Sequence, residues 1–444
     1  MLIKNARVPQ CLLFSEEVEK LLPGDTGIDG NDIALLNIAI DASGNLSGFS
    51  PVSISLDALL DGETPDEVID LDRGIVLPGF VECHTHLDKG HIWPRSPNPD
   101  GTFMGALDTV THDREKSWTT HDVRIRMDFA LRGAYAHGVT AIRTHIDSLG
   151  AQTAVSWPVF AEMREQWKDR IALQATPLFG IQYALDATHM RDVIAAVKAH
   201  GSGLFGCVSY MIPELDKALD IMFRVAIENG FDLDFHVDET NDPEARSLER
   251  IALAALRHRF TGKILCGHCC SLALQGPDDE ARIIRLVREA GIAVVSLPMC
   301  NMYLQDRQRG RTPRWRGATS LHEFRAAGVP VMVSSDNTRD PFYAYGDLDT
   351  LEVFREATRI LQLDHPTANW INAVTSEPAR AMGLSNDFGR LNGGPANLVL
   401  FKARNWTELL SRPQSDRIVI RNGKVIDRVL PDYRELDTLE GMQP

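Results

Sequence analysis

From residue 78 to about 385 the chain repeats one alternation: a short β-branched or apolar run, then a longer stretch whose apolar residues recur at three and four. Eight runs read as strands: GFVECHTH (79–86), TAIRTHID (140–147), IALQATPL (171–178), LFGCVSY (204–210), FDLDFHVD (231–238), KILCGHC (263–269), IAVVSLP (292–298) and PVMVSSDN (330–337). Most lie about 30 residues apart, the length of one βα unit. The first interval is longer and leaves residues 87–120 as an elaborated loop. The intervening segments read as helices. DPEARSLERIALAALRHR opens on Asp242 as N-cap with Pro243 at the first helical position, and Gly138 and Gly201 close two others. Eight strands, each followed by a helix, is the arithmetic of an α/β fold of the (β/α)8 TIM-barrel type. An open doubly wound sheet shares the alternation, but the strand count and the polar residues at strand ends favour the barrel.

The flanks have a different texture. IALLNIAID and VIDLDRGIVLPGF before the barrel, and NLVLFKA and RIVIRNGKVID after it, are short β runs, with Asn422-Gly423 marking a hairpin turn. Neither end has strands enough for a domain of its own. The expected organisation is therefore one small β-sandwich from residues 1–75 plus 390–444, around a barrel over 76–389.

A formal charge of −15 disfavours nucleic acid or an anionic membrane surface as partner. Residues 307–317, RQRGRTPRWRG, form the one dense basic stretch and read as a solvated loop, a subunit contact, or a loop steering anionic substrates. No apolar run approaches the roughly 18 residues of a membrane span, and the first residues do not resemble a targeting peptide. Seven cysteines at irregular spacing do not form a disulfide framework. A cytoplasmic homo-oligomer acting on a small molecule is the expectation.

Alternate side chains of a strand share a face, so His84 and His86 point the same way, as a chelate requires. Two neutral imidazoles hold a divalent ion such as zinc or iron when further ligands join them. His145, His236, His268 and Asp336 stand at the ends of other expected strands, which in a barrel converge on one mouth.

On PGFVECHTHLDKG, HVDE, GH, SSDN followed by DPF, and IRNGKVID, the chain resembles the amidohydrolase superfamily, metal-dependent (β/α)8 hydrolases flanked by a β-sandwich. HTHLDK, RTHID, HVDE, NMYLQDR and SDNTRDPFYAYG make it most similar to the cytosine deaminases. The resemblance covers roughly residues 75–425. It implies that His84, His86, His236 and Asp336 bind one divalent ion (Zn2+ or Fe2+), that Glu239 shuttles the proton, and that His268 lies beside the attacked carbon, with Asp336 also orienting the nucleophile. Two-metal relatives place a bridging lysine or glutamate at the end of the third or fourth strand. This chain has neither, so one metal is expected.

The expected reaction is hydrolytic deamination of cytosine or a related aminated N-heterocycle, with ammonia released. The alternative is hydrolysis of a cyclic amide, ureide or N-alkylaminotriazine. Where cytosine deaminases carry an amide reader after the third strand, this chain has Gly180, with Gln182 two residues later. Where they carry a second aspartate it has Asn337, and Phe342 matches the aromatic that caps the ring. Phe103, with Trp93 and Met104, belongs to the long first loop and is placed to roof the pocket. Asp88 and Lys89 line the mouth or form a loop ion pair. The C-x-x-C spacing at Cys266 and Cys269 has no second pair and is read as part of a strand.

Overall fold

A computed structural model describes residues 1–13, 33–53, 56–60 and 64–442. The chain divides into two compact units. The first comprises Met1–Val81, Ala134–Ala141 and Asp349–Leu430, and the second Glu82–Gly133, Ile142–Leu348 and Pro431–Pro444.

The first unit is built from two four-stranded sheets. β1 (Leu2–Pro9), β2 (Ile33–Ile40), β3 (Leu46–Pro51) and β4 (Val68–Asp70) form one, in the order β3-β2-β1-β4. β5 (Val76–Pro78) pairs with strands from the far end of the chain to form the other. Ile3, Val8, Leu36 and Ile38 of the first sheet share one buried cluster with Val76, Leu398, Leu400 and Ile420 of the second. The two ends of the sequence thus bury their apolar faces against each other, as sandwich sheets must. Asn422 and Gly423 both take positive φ, 46° and 75°, the geometry of the tight hairpin turn expected there. Residues 349–389, assigned to the barrel from sequence, group with this unit, where Asp349 accepts two hydrogen bonds from Arg417, each 2.7 Å. Residues 431–442 group instead with the second unit, where the Arg339 guanidinium lies 4.1 Å above the Tyr433 ring.

The barrel strands are β6 (Phe80–Thr85), β7 (Val139–Asp147), β8 (Ala172–Leu178), β9 (Leu204–Ser209), β10 (Asp232–Val237), β11 (Ile264–His268), β12 (Ile292–Ser296) and β13 (Val331–Val333). β6-β7-β8 and β9 through β13 are ordered as two sheets, the latter in parallel register. Parallel bridges Gly180–Val208 and Thr85–Asp336 close the two seams into a ring. The fold is the expected (β/α)8 barrel, and each strand falls within a few residues of its sequence-based range. β14 (Leu398–Leu400), β15 (Ile418–Arg421) and β16 (Lys424–Val425) complete the second sheet of the sandwich.

Two local expectations are corrected. The loop over 87–120 contains a helix, Phe103–Ser117, capped by Thr102, whose hydroxyl accepts from Gly105 N at 3.0 Å. The helix after β10 begins at Ser247, not at Pro243. Asp242 instead closes a turn by accepting from Glu244 N, while Asp238 takes the first helical N–H groups of Ser247 and Leu248 at 3.1 and 3.0 Å. A carboxylate already fixed at the strand end caps the helix better than one in the loop. Among the described residues no helix is long and apolar enough to cross a membrane.

Candidate active site

β6 delivers His84 and His86 to the C-terminal mouth of the barrel, and β10 delivers His236. Asp336 comes from the extension of β13, held against β6 by a buried clasp. Glu82 accepts from Ser335 N at 2.8 Å and Ser335 Oγ at 2.7 Å, and also from the Ser334 hydroxyl. Asp336 N then donates to His84 O at 2.9 Å, and Thr85 Oγ1 donates to Asp336 O at 2.8 Å. Asp336 and His268 both take positive φ, 66° and 67°. Such a conformation costs a non-glycine residue about 1–3 kcal/mol, a cost typical of functional positions.

Four side-chain atoms converge. His84 Nε2 lies 3.1 Å from His236 Nε2, which lies 3.2 Å from His86 Nε2. Asp336 Oδ1 is 3.2 Å from His86 Nε2 and 3.6 Å from His84 Nε2. All four residues are buried, and neither Asp336 oxygen has a hydrogen-bond partner among the described residues. Ligand bonds of about 2.0–2.2 Å to a tetrahedral ion place the donors roughly 3.3–3.6 Å apart, so the cluster has the size of such a site. Burial lowers His86 to about 4, and lowers His236 well below its ordinary value. Both rings are neutral at pH 7, as cation binding requires.

Beneath this cluster lies a supporting chain. His84 Nδ1 is 3.1 Å from His145 Nε2, and His145 Nε2 is 3.8 Å from Asp234 Oδ1. Arg143 Nη1 donates to Asp234 Oδ2 at 2.9 Å, and Arg143 Nε donates to Gln174 Oε1 at 3.1 Å. Above it, Asn301 Nδ2 donates to Glu239 Oε1 at 3.0 Å, and Glu239 Oε1 lies 3.6 Å from His268 Nδ1. Burial, then the charge of Asp336, pushes the Glu239 carboxyl well above the ordinary range. Burial lowers His268 to about 3.

These groups open into a cavity of about 390 Å³. That volume lies at the small end of the roughly 300–1,000 Å³ typical of ligand pockets. Phe103 and Phe342 meet edge to face across it, centroids 5.4 Å apart, and Lys89 Nζ sits 5.0 Å from the Phe342 ring.

A family model described as the amidohydrolase family matches residues 103–427. The chain belongs to the amidohydrolase family. It is 59% identical over 388 residues to a pterin deaminase of Rhizobium rhizogenes, covering 87% of this chain and 88% of that one. An N-isopropylammelide isopropyl amidohydrolase of Pseudomonas sp. is 24% identical over 392 residues, covering 84% and 91%. Among solved structures, a 5-methylcytosine deaminase from Klebsiella pneumoniae liganded with 5-fluorocytosine shares the fold, with TM-score 0.80, 23% identity and coverage of 96% and 97%. The amidohydrolase is a metal-dependent deaminase of N-heterocycles.

In this amidohydrolase the expected residues are brought together unequally. His84, His86, His236 and Asp336 form one cluster, with Glu239 and His268 beside it. Phe103, Gln182, Asn337 and Phe342 all line the cavity, whereas Met104 on the same helix is 58% exposed. The Asn337 amide is engaged at both ends: Nδ2 donates to Asp340 Oδ2 at 2.7 Å, and Cys300 Sγ donates to Oδ1 at 3.5 Å. Gln182 Oε1 accepts from the Tyr210 hydroxyl. Lys89 lines the cavity and pairs with Asp147 at 3.6 Å, while Asp88 accepts from Asp147 N at 2.9 Å.

Sequence reasoning missed Asn301, Asp234, Arg143 and Asp340. Asp340 had a signal, as a carboxylate four residues beyond Asp336 in the quoted SDNTRDPF run. Asp234 and Arg143 had a weaker one, as charged residues inside apolar strands, which burial tolerates only in pairs.

Proposed function

We propose that this amidohydrolase deaminates pterin, the 2-amino-4-oxo bicyclic ring, to the 2,4-dioxo ring and ammonia. The observation behind this reading is the 59% identity to a pterin deaminase across 87% of the chain. Cytosine gains nothing from the 5-methylcytosine deaminase, since a likeness at 23% identity speaks for fold alone. His84, His86, His236 and Asp336 are the residues that would hold one zinc or iron ion. When bound, a divalent ion there supplies a water whose pKa falls from about 15.7 toward 7.

Glu239 would accept the proton of the attacking water and deliver it to a ring nitrogen beside C2, which makes the amidine carbon electrophilic. A C–O bond forms at C2. Glu239 next takes the remaining proton of the C2 hydroxyl and hands it to the exocyclic nitrogen, the C–N bond breaks, and ammonia leaves as the carbonyl forms. His268 donates a hydrogen bond to the centre where negative charge develops. Phe103 and Phe342, in contact with each other, form an aromatic wall against which a flat ring packs. Gln182, with Oε1 already engaged by Tyr210, offers its N–H groups to the ring's oxo edge.

The test is ammonia release by metal-loaded protein from pterin, cytosine, 5-methylcytosine and N-isopropylammelide. Pterin is expected to exceed cytosine in kcat/KM by at least about a hundredfold, because a site that pairs with one donor–acceptor pattern strongly rejects another. Faster turnover of cytosine overturns the assignment of the ring. Release of isopropylamine rather than ammonia favours the triazine alternative.

A further inference from the structure

Asn301 lies on the short helix Pro298–Leu304 after β12 and is fully buried. Its Nδ2 is 3.0 Å from Glu239 Oε1 and 3.0 Å from His268 Nδ1, whereas Oδ1 has no hydrogen-bond partner among the described residues. The same helix also holds the Glu239 backbone: Gln305 N donates to Asn301 O at 2.9 Å, and Gln305 Nε2 donates to Glu239 O at 3.4 Å. Packing leaves little slack, since a Cβ at Gly317 would stand 3.1 Å from Asn301 Cβ.

We propose that Asn301 is a positioning residue that sets where two protons of the reaction reside. The inference rests on the roles given above to Glu239 and His268. An amide nitrogen has two hydrogens, and here it faces two acceptors. If His268 accepts at Nδ1, its own hydrogen must sit on Nε2, an atom with no partner among the described residues. His268 is then a donor toward the cavity it lines. Because Glu239 accepts at Oε1, Oε2 is the oxygen left to carry the shuttled proton.

The opposite amide orientation conflicts with the proton-accepting form of Glu239. Oδ1 would face an ionised carboxylate oxygen at 3.0 Å, and it would require a hydrogen on His268 Nδ1. Nε2 would then be an acceptor, unable to stabilise developing negative charge. A single side chain therefore couples the tautomer of one group to the protonation site of the other, without touching substrate.

The experiment uses zinc-loaded, full-length protein with 15N-labelled histidine. Long-range 1H–15N correlation reads the tautomer of His268, and His268→Gln assigns its resonances. The wild type is expected to show the Nε2–H form. In Asn301→Asp a carboxylate accepts from Nδ1, so the expected signature is the Nδ1–H form, with kcat down about a hundredfold and KM changed less than threefold. Asn301→Ala, which removes both hydrogen bonds without adding charge, serves if the aspartate variant does not fold, and is expected to show mixed tautomers. A wild-type Nδ1–H form, or a tautomer unmoved by both substitutions, overturns the role of Asn301. Full turnover in Glu239→Gln would instead sink the underlying assignment of the proton carrier, whatever the tautomer.

Discussion

Replacing His145 by phenylalanine isolates the supporting chain from the cluster it supports. His84 faces the cluster with Nε2, so Nδ1 carries its hydrogen and donates to His145 Nε2 at 3.1 Å. Phenylalanine keeps most of the ring volume and removes the acceptor. His84 then loses the partner that fixes its tautomer and rotation, and a fully buried N–H is left without a hydrogen bond. Loss of such an orienting partner typically weakens metal binding 10- to 100-fold, or about 1.4–2.7 kcal/mol. An unsatisfied buried donor costs a similar amount, about 1–3 kcal/mol, so the two estimates agree on scale. Zinc affinity from competition with a chromophoric chelator is the assay. Thermal unfolding with and without metal is the control, since the stabilisation conferred by the ion shrinks by the same free energy. A dissociation constant within twofold of wild type, together with unchanged metal-induced stabilisation, would refute the idea that His145 orients His84.

Glu239→Gln preserves volume and the contact with Asn301 but cannot take a proton, so kcat is expected to fall about 10²- to 10⁴-fold with metal content unchanged. Steady-state ammonia release beside metal analysis checks this. The His86 imidazole, lowered to about 4 by burial, gives a pH dependence of defined sign. Below its ordinary 6.5 the unfolded chain takes up a proton that the native state refuses, so stability falls as pH drops from about 6.5 to about 4. The scale is about 3 kcal/mol for this one group, read by denaturant melts across that range, and a flat profile there would count against a buried neutral ring. In the sandwich unit, Arg417→Ala breaks the two-pronged buried pair with Asp349 and is expected to cost about 3–5 kcal/mol of stability. Urea unfolding measures it.

The barrel was legible because period alone distinguishes its parts: apolar runs of strand length recur at βα spacing, and six of the seven intervals between the eight strands contain no rival signal. The 87–120 interval misled because Phe103–Ser117 turns Met104 and Leu107 outward and Asp113 inward, which blurs its apolar stripe. The metal-ligand candidates were legible one by one as polar ends of apolar strands. Their convergence is a property of the closed ring, which no local pattern encodes. Asn301 and His145 illustrate the harder case. Each matters through the atoms it faces, Glu239 and His268 for one and His84 for the other, and those partners lie between 33 and 62 residues away in sequence. Asn337 shows the converse, since its position at the cavity was readable but not the engagement of its amide by Asp340 and Cys300. The division of the chain was also only partly readable, because the buried pairing of Asp349 with Arg417, which ties residues after the barrel to the sandwich, spans 68 residues.

Anomalous diffraction from a zinc-loaded crystal addresses the metal centre directly. One peak is expected, about 2.0–2.2 Å from His84 Nε2, His86 Nε2, His236 Nε2 and an Asp336 oxygen. Two peaks, a peak elsewhere, or those four side chains turned from one another would contradict a single ion held by three imidazoles and one carboxylate.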